Sequence, residues 1–314
     1  MKDLVLRYGR QIGLPLAVVG LVVLFSSMSP FFLSVQNFRN IGLQAAALAV
    51  VSFGQSVVIL GAGLDLSVGA IVAMVSIVSA LAMLTFGVPA GLCVGLLAGM
   101  AAGLANGLIV TRLRVFPFIA TLAMMSFLSG LALNLSGGIP VTGLPMSFTD
   151  VAFANFGGVP IPVLVSVVLL VVTALILRYL RIGRNFYAIG GNQEAARLSG
   201  INVDAVKAIT YVYSGLCSAV AALILTARVA SGQPTLGMSL PLESVAAVVL
   251  GGVSLFGGRG SVLGVAFGVA FVSILSNGLN LLNVSSYTQM MVIGVALTGA
   301  VALDQFFVQR GSGH

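Results

Sequence analysis

The chain has 314 residues, 59% of them hydrophobic and 7% charged, with a mean hydropathy of +1.16. Soluble domains carry about a quarter charged residues, so this composition excludes one and is that of a polytopic membrane protein. The net charge is +7, but the basic residues sit between apolar runs, which excludes a continuous nucleic-acid-binding face.

Apolar runs between turn signals predict an all-α fold of about ten transmembrane helices: 12–33, 41–60, 67–86, 89–111, 115–136, 160–180, 206–227, 242–256, 261–281 and 286–303. Ten such spans with short connections account for the whole chain, so residues 1–314 are read as a single transmembrane domain. The first run follows Lys2, Arg7 and Arg10 as a secretory signal would, but it lacks a small-residue cleavage site and is read as a retained helix. The eighth run is short for a span, and the second and third are separated only by Gly61-Ala62-Gly63-Leu64-Asp65-Leu66. Either place suits a broken or re-entrant element, which survives where protein buries the backbone.

Asp65 is the one acid beside apolar spans, and an acid in such a place raises the possibility of a proton relay or gate. No second carboxylate, Lys or His lies in the interior of a span to pass a proton on, so a helix cap on the third span, supplied by Asp65 or Ser67, is the preferred reading. In the fourth span Gly91, Gly95, Gly99, Gly103 and Gly107 recur at every fourth position, and Gly260, Gly264 and Gly268 do so at the ninth. Each series predicts a flat face for close helix approach. Five spans in each half suggest a five-plus-five inverted repeat. The amides Gln44, Gln55, Asn106, Asn134, Asn277 and Asn280 either line a path for a hydroxylated solute or bond across packed helices, and both readings stay open.

Cys93 and Cys217 fall within apolar spans and are read as buried small residues, without a disulfide or thiol metal site. The single His is His314 and the lysines are Lys2 and Lys207, so a His-based metal site, a Ser-His pair and a Gly-x4-Gly-Lys-Ser/Thr phosphate loop are all excluded. An intramembrane enzyme lacks its parts, and no cofactor is expected on this chain.

Residues 178–207 hold seven of the 21 charged residues. Within them Glu194-Ala195-Ala196-Arg197-Leu198-Ser199-Gly200 reads as a short water-facing helix closed by Gly. Placing both termini in the cytoplasm puts twelve basic residues on that side and only Arg39 and Arg228 outside, a strong positive-inside bias. The 178–207 loop is then cytoplasmic, and a connection of that length is uncommon unless functional. The outward loops, about 137–159 and 228–241, are too small to capture a scarce solute, so an outside partner has to deliver one.

Three segments carry a resemblance: Gly63-Leu64-Asp65-Leu66-Ser67-Val68-Gly69; Gly183-Arg184-Asn185-Phe186-Tyr187-Ala188-Ile189-Gly190-Gly191-Asn192 with Glu194-Ala195-Ala196 and Ser199-Gly200-Ile201; and Leu250-Gly251-Gly252-Val253-Ser254-Leu255-Phe256-Gly257-Gly258-Arg259-Gly260-Ser261. In order, over about residues 30–304, the chain resembles the membrane permease subunits of bacterial ABC sugar importers of the ribose, xylose and galactose type. It departs at Ala62, where Gly is usual, and at Leu64, where Ile is usual.

The resemblance implies a multi-pass protein of the bacterial inner membrane, paired with a second permease as a homo- or heterodimer. A cytoplasmic ATPase using ATP and Mg and a periplasmic solute-binding protein would complete the importer. It implies that Arg184, Glu194, Ala195, Ala196 and Gly200 belong to the ATPase-coupling segment, and that a sugar or sugar-like solute crosses by alternating access. The alternative is a self-contained ten-helix secondary transporter or exporter of small metabolites, which also uses five-plus-five repeats and acts without an ATPase.

Overall fold

In the computed structural model, residues 2–285, 287–295 and 298–299 are described, with side chains from residue 13 onward. The named α-helices are α1 Lys2–Met28, α2 Val35–Leu60, α3 Val68–Phe86, α4 Val88–Thr111, α5 Pro117–Ser136, α6 Met146–Thr149, α7 Ile161–Tyr179, α8 Arg181–Gly191, α9 Gln193–Leu198, α10 Val203–Val229, α11 Leu240–Leu250 and α12 Val262–Leu281. Seven of them, α2, α3, α4, α5, α7, α10 and α12, are long and apolar enough to cross a membrane. The protein is an all-helical, multi-pass membrane protein.

Three expected spans differ from this set. In the first, the apolar part of α1 is Gly13–Met28, stopping short of residue 33. The eighth ends at Leu250 rather than at 256, leaving an 11-residue helix that rises about 16 Å, half of a hydrocarbon core of about 30 Å. It stops because Gly252 turns to φ +80° and the amides of Gly251 and Gly252 fold back onto the carbonyls of Ala247 and Val249, a glycine-based helix stop. The tenth, 286–303, is helical over 287–295 and 298–299 and otherwise lies outside the described residues.

α2 and α3 form the centre. Every residue from Ala46 to Gly61 is buried, as expected for a helix that is apolar all round. The glycine series on α4 forms the flat face that its spacing predicts. A Cβ at Gly91 would meet Met83 and Ser79 of α3, while one at Gly99, Gly103 or Gly107 would meet Gly215, Tyr211 or Ala208 of α10. On α12, Gly264 and Gly268 lie against the carbonyls of Gly251 and Ala247, so α11 seats there in the same way. Cys217 is buried, but Cys93 is exposed. It lies two residues from Gly91, on the opposite side of α4 from the packed glycines, which corrects its expected burial.

Arg228 lies 21 residues after Lys207 on α10, about 30 Å along the helix, so the two mark opposite faces of the molecule. α8 and α9 lie at the Lys207 end. The loops near residues 141 and 232 join at the Arg228 end, where Val141 and Gly232 exchange backbone hydrogen bonds of 2.8 and 2.9 Å. A two-residue hairpin there pairs β1, Asn155–Phe156, with β2, Val159–Pro160.

Candidate functional site

The site begins where α2 stops. The amides of Ala62 and Gly63 return to the carbonyls of Ile59 and Val58, both at 2.9 Å, which turns the chain sharply and puts Ala62 at φ +56°. That left-handed conformation disfavours any residue with a Cβ. The chain then runs through the buried Asp65 into α3. Ser67 occupies the N-cap position, but its own side chain makes no capping bond. Instead Asp65 Oδ1 accepts the amide of Ser67 at 3.0 Å and its hydroxyl at 2.6 Å, and Oδ2 accepts the hydroxyl of Ser214 on α10 at 2.9 Å. Asn106 Nδ2 on α4 donates to Ser67 Oγ at 2.8 Å. Asp65 therefore serves the start of α3 and also ties α3 to α4 and α10 through a buried network with no cation in it. Three donors on one carboxylate offset much of its desolvation.

The second and third sequence motifs converge on the end of α2. α8 is amphipathic: Phe186 and Ile189 are buried while Arg181 and Arg184 are exposed, and Arg184 Nη1 donates to the last carbonyl of α7, Tyr179 O, at 3.2 Å. A Cβ at Gly190 would collide with the carbonyl of Leu60, and the same oxygen accepts the amide of Gly258 at 2.9 Å. A Cβ at Gly257 would lie 2.9 Å from that of Ala62 and one at Gly258 2.7 Å from Gly191 Cα. The hydroxyl of Tyr187 reaches Gly260 O at 3.1 Å, and burial pushes the tyrosine pKa up, which keeps that donor protonated. Segments far apart in sequence thus meet backbone to backbone, at distances only glycine permits.

α9 projects from this junction. Asn192 caps it, accepting the amide of Ala195 at 2.9 Å, and it closes at Gly200, φ +80°, where Ile201 N bonds to Ala196 O at 3.1 Å. The result is a Schellman-type stop. Of the expected coupling residues, Glu194, Ala195 and Gly200 are exposed and Ala196 alone faces inward. Leu198 is 86% exposed, an apolar side chain that the sequence reading did not single out. Arg197 and Asp204 form an exposed ion pair at 3.7 Å. Beside α9 a cavity of about 670 Å³ opens between Gly63, Leu64, Arg114 and Lys207.

The remaining candidate residues scatter. Gln55 is buried, and neither of its amide atoms has a partner among the described residues. Asn106 joins the Asp65 network, while Asn134 and Asn280 are exposed. Asn277 exchanges two 3.0 Å hydrogen bonds with Asn37 of α2, a partner the sequence reading missed because it started that span at residue 41. Gln44 is exposed and lines a second cavity, of about 260 Å³, at the Arg228 end of the molecule.

Residues 37–301 match the family described as branched-chain amino acid transport system / permease component. The chain is 45% identical over 303 residues to the ribose import permease protein RbsC of Bacillus subtilis, covering 94% of this chain and 93% of the relative. It is 40% identical over 297 residues to the same-named protein of Escherichia coli K12, covering 92% of each. With the L-arabinose transport system permease protein AraH of Escherichia coli K12 it shares 36% identity over 301 residues, 96% of this chain and 92% of that one. No solved structure matches. A glycine-locked junction behind an exposed helix, in a helical membrane protein with this match across most of its length, establishes that the chain belongs to the branched-chain amino acid transport system permease-component family.

Proposed function

We propose that this protein is the translocating membrane subunit of a bacterial ABC importer for a sugar, a monosaccharide of the ribose, allose or arabinose kind. The observation that carries the reading is the junction of Leu60, Gly190 and Gly258 directly behind α9. A partner that moves α9 pulls on α8, and through it on the broken ends of α2 and α11. The rigid contact has no slack to absorb the displacement, because packed backbone is not continuously deformable.

In this reading residues 1–314 are one permease domain of ten membrane segments arranged as an inverted repeat, with α11 crossing only half of the bilayer. Both termini and α9 face the cytoplasm of a cell with the chain in its inner membrane. Two such subunits, identical or homologous, share a path. ATP and Mg are bound by a cytoplasmic ATPase that receives α9, and a periplasmic binding protein delivers the sugar. The relatives named for ribose and arabinose, and the D-allose transport system permease protein AlsC of Escherichia coli K12, 36% identical over 288 residues, support the substrate class, and the exposed α9 with Leu198 at its surface supports the docked ATPase.

The test is to express the chain with whatever ATPase and binding protein its neighbouring genes encode and to measure uptake of labelled D-ribose, D-allose and L-arabinose. ATP-dependent uptake of one of them, with the ATPase copurifying, is expected. Uptake that persists when the ATPase is deleted would instead identify a self-contained transporter.

A further inference from the structure

The cavity of about 260 Å³ at the Arg228 end lies between α2, α10, α11 and α12. Its size is below the roughly 300–1,000 Å³ of pockets for drug-sized ligands. Its walls are rich in hydrogen-bonding groups for a membrane interior: Gln44 from α2, Arg228 from α10, Glu243 from α11, and Ser273 and Ser276 from α12. Arg228 and Glu243 form no ion pair with each other among the described residues, and the Ser239 side chain beside Glu243 takes only part of the carboxylate's acceptor capacity. Ser273 is 2% exposed and its hydroxyl has no partner among the described residues, an arrangement that is disfavoured unless something else satisfies it. Gln55 repeats the pattern deeper in. It follows Gln44 on α2 by eleven residues, three turns, so the two amides share one helix face about 16 Å apart, and both amide atoms of Gln55 are buried without a partner.

The chemistry of this set selects the ligand. A carboxylate only accepts, a guanidinium only donates, and hydroxyls and amides do both. The two charges cancel, which gives no preference to an ion. A ring bearing several hydroxyls, each donor and acceptor at once, matches all of these groups. We propose that this cavity is a binding station for a neutral polyhydroxylated solute, with Glu243, Arg228 and Gln44 reading hydroxyls at its mouth and Ser273 on its inner wall, and with Gln55 as the next polar contact along α2. The station rests on the reading of the chain as a sugar permease subunit. It places selectivity for hydroxyl number inside the permease, in addition to that of the delivering protein.

The experiment uses the complete complex of permease, ATPase and binding protein in proteoliposomes, with labelled D-ribose, D-allose and L-arabinose as probes. Molecules of sugar moved per ATP hydrolysed is the readout, because a misfolded complex hydrolyses nothing and is recognised as such. Losing a hydrogen bond to a charged group corresponds to about tenfold or more, and a neutral one to about fivefold. Glu243→Gln and Ser273→Ala should therefore lower the ratio by about tenfold and fivefold. A second measurement removes dependence on either variant: in a Cys93→Ala background, Ser276→Cys should react with a membrane-impermeant thiol reagent added from outside, and millimolar sugar should slow the reaction. Equal sugar-per-ATP ratios in the variants, or labelling that sugar leaves unchanged, overturn the station while the sugar-importer reading stands. A wild-type complex that hydrolyses ATP but moves none of the three sugars overturns that reading, and the station with it.

Discussion

The carbonyl oxygen of Leu60, at the end of α2, accepts the amide of Gly258 at 2.9 Å, and Gly190 of α8 packs onto the same oxygen. Gly190 and Gly191 are neighbours in sequence with opposite surroundings. A Cβ at Gly190 would strike the Leu60 carbonyl, whereas one at Gly191 meets nothing within 4 Å. Gly190→Ala should separate α8 from α2 and lower thermal stability in detergent by about 1–3 kcal/mol, the ordinary range for overpacking. Gly191→Ala should leave stability within about 0.5 kcal/mol. ATP-dependent uptake should follow the same order. Equal behaviour of the two variants would mean that the junction is not a rigid contact.

In α9 the residues that hold the helix are separate from those exposed for the proposed ATPase to touch. Gly200 sits at φ +80° with open space around it, so Gly200→Val acts through backbone strain alone, at about 1–2 kcal/mol, and frays the helix end. Leu198 is 86% exposed, so Leu198→Asp leaves the folded chain untouched and charges the surface that the proposed ATPase would meet. Membrane insertion and thermal stability of Leu198→Asp should match wild type. Copurification of the ATPase should fall about tenfold or more, because a carboxylate desolvated at an interface costs more than about 1.4 kcal/mol. Retained copurification with both variants would show that α9 is not the docking element.

The three motifs at this junction are readable in the sequence one by one, yet their meeting point is not. Leu60, Gly190 and Gly258 are separated by intervals no periodicity spans, and only tertiary packing brings them together. The glycine series on α4 was legible because its spacing names a face directly. By the same logic Cys93, two residues off that series, belongs on the other side, a step that hydropathy alone misses. The end of α11 was misplaced because Gly251-Gly252 barely alters hydropathy while changing the backbone completely. Asn37 was overlooked because the polar stretch Gln36–Asn40 masks the helix start that Ser34 caps, accepting the amide of Asn37 at 3.2 Å. The Asp65 motif was visible, but Ser214, its partner from 149 residues away, carries no local signal.

Asp65 accepts hydrogen bonds from one amide and two hydroxyls, so its function as an acceptor is separable from its charge. In Asp65→Asn the amide oxygen can keep the two bonds from Ser67, and the Ser214 hydroxyl can turn to accept from the new Nδ2. Asp65→Ala leaves all three donors buried and unpaired, at about 1–3 kcal/mol for each. Asp65→Asn should therefore assemble and transport with a loss of at most a few fold, while Asp65→Ala should fail to accumulate in the membrane. Uptake measured from pH 6 to 8 should have the same profile in Asp65→Asn as in wild type. A profile that shifts in the variant would restore Asp65 as a titrating relay.

Asn37 and Asn277 exchange two amide hydrogen bonds of 3.0 Å between α2 and α12, and both side chains are buried. Each amide satisfies the other, and Asn37 also donates to Phe32 O at 2.9 Å. Asn277→Leu strands the Asn37 carbonyl oxygen, and Asn37→Leu strands the whole Asn277 amide, so each single change should cost about 1–3 kcal/mol. Replacing both leaves apolar groups of similar size facing one another, with only the Phe32 carbonyl losing its donor. The double variant should therefore be more stable than the sum of the single losses, by about 1–2 kcal/mol of coupling in a thermal-stability cycle. Additive losses would show that the two amides act separately, and Asn277 would then be free to serve a solute path rather than the α2–α12 contact.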